Sequence, residues 1–256
     1  MIRFRLMAHL LVAHPGHELL LHGWISRNKP VVHILTDGTA HSSSSATRLG
    51  DTADLLRGLG ARPGAIFGRL SDREAYSMIL ERNTPLLRSL VTELAAELER
   101  DRPSMLVCDA AEGYNPVHDL CRLIGGAAIA MAGVPVKQYE YAVVNDPHSH
   151  DAAAIVVELS AAEHAAKMDR AAAQSASLAD IEALVNRFGA NAYQRETLFP
   201  VADWTAIDDV APPLYERYGE ERVAAGHYVT VIRRREHMLP LRDALRAAVE
   251  KRSCAF

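Results

Sequence analysis

The stretch Ala13-His14-Pro15-Gly16-His17-Glu18 decides how the rest of the chain is read. It follows an apolar run, Leu6 to Ala13, and precedes a pattern from His17 to Asn28 in which Leu19, Leu20, Trp24 and Ile25 recur at helical spacing. A strand therefore gives way to a helix here, with two imidazoles and a carboxylate in the turn. In open α/β sheets such turns sit at the carboxyl ends of the strands, where ligands bind.

Working outward, Lys29-Pro30 stops the helix and Val31 to Leu35 is a β-branched run ending at Thr36-Asp37-Gly38, a second strand and its loop. Thr39 to Ser45 carries consecutive serines and reads as a mobile loop. Thr47 to Leu59 is a helix with Leu49, Ala53, Leu56 and Leu59 on one stripe, and Ala65 to Leu70 is a short strand. Pro85 to Glu99 is an amphipathic helix, with Leu86, Leu90, Leu94 and Leu98 four apart. Met105 to Cys108 then runs as a strand into Asp109-Ala110-Ala111-Glu112-Gly113-Tyr114-Asn115-Pro116-Val117-His118-Asp119, and Pro116 suits the first position of a helix reaching Ala132. This is a second strand-to-helix turn loaded with polar groups.

Further strands are expected over Val136 to Val144 and Ala152 to Leu159, separated by the loop Asn145 to Asp151. Helices are expected over Ala161 to Ala173, Asp180 to Phe188 and Leu241 to Lys251. Leu198 to Gly226 reads as irregular, and Tyr228 to Ile232 as a last strand. The pattern predicts an α/β fold, a Rossmann-like, mostly parallel sheet with helices on both faces. It predicts one domain over residues 1–256, with a parallel core in 1–145 and an elaboration with a C-terminal helix in 146–256.

The 256 residues are 49% hydrophobic and 23% charged, the makeup of a globular protein. With 28 basic against 32 acidic residues the net charge is −4, which excludes an overall field drawing the chain to nucleic acid or anionic lipid. A small-molecule partner fits better. No apolar run approaches the roughly 18 residues of a membrane span. Cys108, Cys121 and Cys254 are far apart and lack zinc or redox spacing, so they read as reduced thiols in a cytoplasmic protein.

Both polar turns face one crevice if the sheet is parallel, so His14, His17 and His118 can meet. Three neutral imidazoles plus an open position suit a catalytic zinc or a similar divalent ion. Against this stands the general expectation that a lone histidine is a packed or surface residue, the reading given to His9, His22, His33 and His164. His148 and His150 share a loop within reach of a substrate, and His227 and His237 flank the run Arg233-Arg234-Arg235.

The motifs His14-Pro15-Gly16-His17-Glu18, Thr36-Asp37-Gly38 and Asn115-Pro116-Val117-His118 resemble those of the PIG-L/LmbE-like metal-dependent de-N-acetylases. That family carries His-Pro-Asp-Asp-Glu, Thr-Asp-Gly or a near relative, and His-Pro-Asp-His in the same order. Tyr218 to Val223 and Arg235-Glu236-His237 also resemble a subgroup of it. The resemblance implies metal-dependent hydrolysis of an N-acetyl group on an amino-sugar conjugate. It places the family's ligands on His14, His17 and His118, with histidine at 17 where the family has aspartate. Its general base falls on Gly16, which carries no proton, and its other catalytic histidine falls on Asn115, which can still donate to an oxyanion.

Losing a general base costs about 10²- to 10⁴-fold, so hydrolysis is weakened rather than excluded. Glu18, Glu112 and Asn115 are the candidate catalytic residues. Glu18 competes with a role in orienting a ligand or capping the helix, and Glu112 and Asp109 are equally placed to meet the metal site or hold His118. Asp37 reads as a turn residue and Asp119 as a helix-dipole partner. The cofactor is one divalent metal, zinc by its donor set, with iron as the alternative. Two other functions stay open: a metal-dependent binding protein without turnover, and a repurposed three-histidine metalloenzyme. The sequence leaves a homo-oligomer open.

Overall fold

The computed structural model describes residues 7–39, 45–145, 155–173, 185–189, 193–207 and 211–253. The strands are β1 (Ala8–Val12), β2 (Val31–Thr36), β3 (Arg62–Leu70), β4 (Met105–Asp109), β5 (Lys137–Tyr141), β6 (Ile155–Glu158) and β7 (Arg195–Pro200). The helices are α1 (His22–Asn28), α2 (Ser45–Leu59), α3 (Asp72–Leu80), α4 (Thr84–Asp101), α5 (Pro116–Ala132), α6 (Ala161–Ala173), α7 (Leu214–Ala224) and α8 (Leu239–Ser253). A 3₁₀ turn, His17–Leu21, precedes α1, and a π-helical turn, Arg234–Met238, precedes α8.

Among the described residues the strands form one sheet in the order β3-β2-β1-β4-β5-β7-β6. From β3 to β5 every pairing is parallel, and β7 adds antiparallel to β5 and to β6. The chain is α/β with a mostly parallel sheet, as expected. β1 and β2 are buried along their whole length, which explains why they are apolar apart from His9, His33 and Thr36: helices cover both faces. Side chains alternate between those faces. Leu11, Ala13 and Leu35 pack with Leu94, Leu120, Ile124, Leu241 and Leu245 from α4, α5 and α8. Leu10, Val12, Val32 and Ile34 pack with Trp24, Ile25 and Leu56 from α1 and α2.

The order of strands reverses at β1, which has β2 on one side and β4 on the other. A crevice opens at such a switch point, beyond the carboxyl ends of the two strands. The His14 turn leaves β1 there, and the Asp109 to Asn115 turn leaves β4.

Several boundaries move. β3 starts at Arg62 rather than Ala65, and β5 ends at Tyr141 rather than Val144. α3 was not expected; its N-terminus is built by a capping box in which Ser71 and Glu74 exchange bonds with each other's backbone. The stretch read as irregular from Leu198 contains the end of β7 and all of α7, which starts after Pro212-Pro213. The expected strand at Tyr228 to Ile232 does not form: Tyr228 and Val229 are exposed, and neither joins the sheet. Ile232 packs into the core without a neighbouring strand to pair with, and a β-favouring run becomes a strand only where one is present.

Residues 40–44, most of the serine loop, lie outside the described residues. So do residues 146–154, with His148, His150 and the start of the expected strand at Ala152, as well as residues 1–6, Cys254 and the first part, 180–184, of the helix expected up to Phe188. Cys108 and Cys121 are free and buried.

His9 and His33 are packed, as the sequence reading holds. They form a buried pair, with His9 Nδ1 3.1 Å from His33 Nε2. Ile66 N–H donates to His33 Nδ1 at 3.4 Å, so the proton of His33 is on Nε2 and points at His9. His9 therefore carries its own proton on Nε2, which lies 3.3 Å from Asp101 Oδ2, out of line for a good hydrogen bond.

Candidate metal centre

His14 leaves the end of β1, and the backbone then turns through Gly16 at φ 109°, ψ −26°, into the 3₁₀ turn that carries His17. Glycine takes a positive φ without the strain of a Cβ. His118 comes from the opposite side of the crevice, on the first turn of α5. Pro116 starts that helix and Asn115 caps it, accepting from Val117 N–H at 2.9 Å.

The three imidazoles converge. Ring centres are 5.3 Å apart for His14 and His17, 5.4 Å for His14 and His118, and 4.6 Å for His17 and His118. Two of them are held by carboxylates. His14 Nδ1 lies 2.8 Å from Thr36 Oγ1 and 3.0 Å from Asp72 Oδ1. Thr36 spends its own proton on Ala13 O, and Asp72 only accepts, so the proton of His14 is on Nδ1 and Nε2 is left as a lone pair. His17 Nδ1 lies 2.7 Å from Asp109 Oδ2, which fixes the same tautomer. A carboxylate on one ring nitrogen is how metal-binding histidines are oriented.

His118 is 3% exposed, and its Nδ1 is buried without a hydrogen-bond partner. Burial, and next the His17 ring, push its pKa well below the usual histidine value, so the ring is neutral and can ligate. An orphaned polar nitrogen inside a protein costs free energy unless something binds it. A metal ion fits that nitrogen and the donor set around it. Among the described residues, the group whose ligand atoms all lie within 4.8 Å of one another, and which could hold a metal ion, is His17, Asp109 and His118, without His14.

Asp109 is fully buried at the end of β4. Its Oδ2 accepts from Ala13 N–H at 2.8 Å as well as from His17, and its Oδ1 accepts from Tyr141 O–H at 2.6 Å. Burial opposes its ionisation, but the His17 ring and the hydrogen bonds from His17 and Tyr141 outweigh this and hold its pKa at about 2.

Asn115 belongs to the same crevice: its Nδ2 lies 3.4 Å from His14 Nε2, and Tyr76 O–H reaches its Oδ1 at 3.4 Å. Glu18 and Glu112 are tied elsewhere. Glu18 is buried, with Oε2 on Gly16 N–H at 2.7 Å and Oε1 on Thr52 O–H at 2.8 Å, and burial raises its pKa. Glu112 accepts from the N–H groups of Val143, Val144 and Asn145 at 2.9 to 3.1 Å, and burial raises its pKa too. Asp37 serves its turn, accepting from Thr39. Asp119 accepts from Gly113 N–H at 3.0 Å, and burial pushes its pKa up to about 7. His237 Nδ1 accepts from Arg233 N–H, and Arg233 pairs with Glu216 and Glu220.

Sequence reasoning gave Asp72, Thr36 and Tyr141 no role. A signal for Asp72 existed: Ser71-x-x-Glu74 marks a helix start directly after a strand, which puts Asp72 at the same sheet edge as His14.

No family model matches the chain, and no curated protein sequence matches it. Solved structures do. The A40926 pseudoaglycone deacetylase Dbv21 superposes with a TM-score of 0.54 at 15% identity, over 79% of this chain and 100% of that one. This chain shares that structure's fold. The conserved protein TT1542 from Thermus thermophilus shares it, with a TM-score of 0.51 at 18% identity, over 80% of this chain and 99% of that one. At such identities the fold is what is held in common, and the chemistry rests on this chain's own residues.

Proposed function

We propose that the chain is a metal-dependent amide hydrolase of the PIG-L/LmbE-like kind, acting in the cytoplasm on an N-acetyl group of a small amino-sugar conjugate. The observation that carries this reading is the meeting of His14, His17 and His118 at the switch point of a deacetylase fold. Nε2 of His14 and His17 and Nδ1 of His118 would hold one divalent metal, zinc by the preference of imidazole donors. Bound there, such a metal supplies a Lewis acid for the scissile carbonyl and hydroxide near a pH of about 7.

The chain's own groups would do the rest. Asp72 and Asp109 orient two of the rings, and Thr36 shares the proton of His14. Asn115 stands beside His14 with an amide N–H to offer a developing oxyanion. Glu18 and Glu112 hold the two turns, and either would reach a substrate only by releasing the backbone donors it now binds. Gly16 leaves the site without the family's base, so turnover should be slow.

Two measurements on the purified protein test this: its metal content, and acetate release across a panel of N-acetylated glycosides. The expected result is zinc with acetate release that His118→Ala abolishes. Zinc without any turnover supports a binding protein instead, and redox-active iron supports the repurposed metalloenzyme.

A further inference from the structure

Tyr141 ends β5 and stands next to Asp109 in the β4/β5 ladder, at the last parallel register position of the pair. The sheet therefore sets the two side chains side by side. The tyrosine ring is 2% exposed, and its hydroxyl lies 2.6 Å from Asp109 Oδ1 and 3.3 Å from His17 O. A hydroxyl has one proton, and the short contact to a charged oxygen is the stronger bond. Each oxygen of the buried carboxylate is thereby occupied: Oδ1 by Tyr141, Oδ2 by Ala13 N–H and His17 Nδ1–H.

We propose that Tyr141 is a positioning residue for the metal centre, fixing the rotation of the Asp109 carboxylate and, through it, the tautomer and aim of His17. Without the tyrosyl proton, Oδ1 is a buried charged acceptor with no donor, and the carboxylate gains by turning toward any other donor or cation in reach. His17 Nδ1 then loses its fixed acceptor, and the ring is no longer held in one orientation beside His118 and His14. The sheet register, fixed by residues outside the crevice, thus sets the ligand geometry inside it. This inference rests on His17 being a metal ligand.

The test is Tyr141→Phe, which keeps the ring that fills the core, with Tyr139→Phe on the same strand as the control for losing a hydroxyl. Imidazole nitrogen NMR of the metal-free proteins reads the His17 tautomer, and zinc affinity is read by competition with a chromophoric chelator. The expected result is a pure Nδ1–H tautomer at His17 in the wild type and mixed tautomers in Tyr141→Phe. Zinc affinity should fall about 10- to 100-fold in Tyr141→Phe and stay unchanged in Tyr139→Phe. An unaltered tautomer and affinity within twofold of wild type would overturn the positioning role. Should the variant fail to fold, the wild type still decides: a downfield, exchange-protected hydroxyl proton on Tyr141 supports the bond to Asp109, and its absence overturns it. A wild type that binds no stoichiometric zinc contradicts the metal reading instead, and the tautomer comparison then judges Tyr141 alone.

Discussion

Gly16 separates this site from the pattern it resembles, and the backbone shows that the difference is more than one missing carboxylate. At φ 109° any residue with a Cβ is strained, by roughly 1–2 kcal/mol if the cost matches that of the left-handed region. Gly16→Asp should therefore destabilise the protein by about that amount in urea denaturation and bring no gain in turnover. A variant that is as stable as wild type and faster would show that the turn accepts the acid. The histidines themselves were legible in the sequence, because their motifs sit at strand ends. Their partners were not: Asp72 is 58 positions from His14 and Asp109 is 92 from His17, joined only by the fold.

Among the elements, the segment carrying His17 is tied down from a distance. The Glu196 carboxylate on β7 accepts from Gly23 and Trp24 N–H at the start of α1, and Lys167 on α6 bridges Glu196 to Leu20 O at 2.7 to 2.8 Å. Lys167→Met leaves the buried Glu196 charge without its cation and should cost about 3–5 kcal/mol, read as a loss in urea midpoint. Little change would mean that the backbone N–H groups alone satisfy the carboxylate. This clamp also explains why β7 was missed from sequence: Arg195 to Pro200 starts with two charged residues and ends in proline, and Glu196 is an interior residue through its bonds to Lys167 and to Gly23 and Trp24 N–H. α7 was missed because its start, Pro212-Pro213, looks like the surrounding irregular chain until Tyr215 is seen packed in the core.

At the amino-terminal end of the sheet, His9 and His33 meet Glu97 and Asp101 of α4 and Arg62 of β3. Burial outweighs the nearby carboxylates and lowers the pKa of His9 to about 4 and that of His33 to about 3. Unfolded, both rings titrate near 6.5. Below that pH the unfolded chain binds protons that the folded chain refuses, so the stability present above pH 6.5 is lost as pH falls toward 4. For His9 alone the loss is on the order of 3 kcal/mol. Urea midpoints at pH 7.5 and 4.5 should differ less in His9→Gln than in wild type; an equal difference would remove His9 as a cause.

For the whole molecule, the alternation of strands and helices in the first 145 residues predicted the parallel part of the sheet, since apolar runs buried on both faces are conspicuous. The antiparallel extension by β6 and β7 carries weaker signals, because those strands have exposed positions. No helix among the described residues is long and apolar enough to cross a membrane. A ligand that binds only the folded chain must stabilise it, by about 2.7 kcal/mol at a hundredfold excess over its dissociation constant. Zinc should accordingly raise the melting temperature of the metal-free protein, and a chelator should reverse the rise. The most direct test of the proposed three-histidine metal site is equilibrium zinc binding to the wild type and to His14→Ala, His17→Ala and His118→Ala. One zinc per chain, weakened at least tenfold in each variant, is the predicted result. No stoichiometric zinc, or a variant that binds it as tightly as wild type, would contradict it.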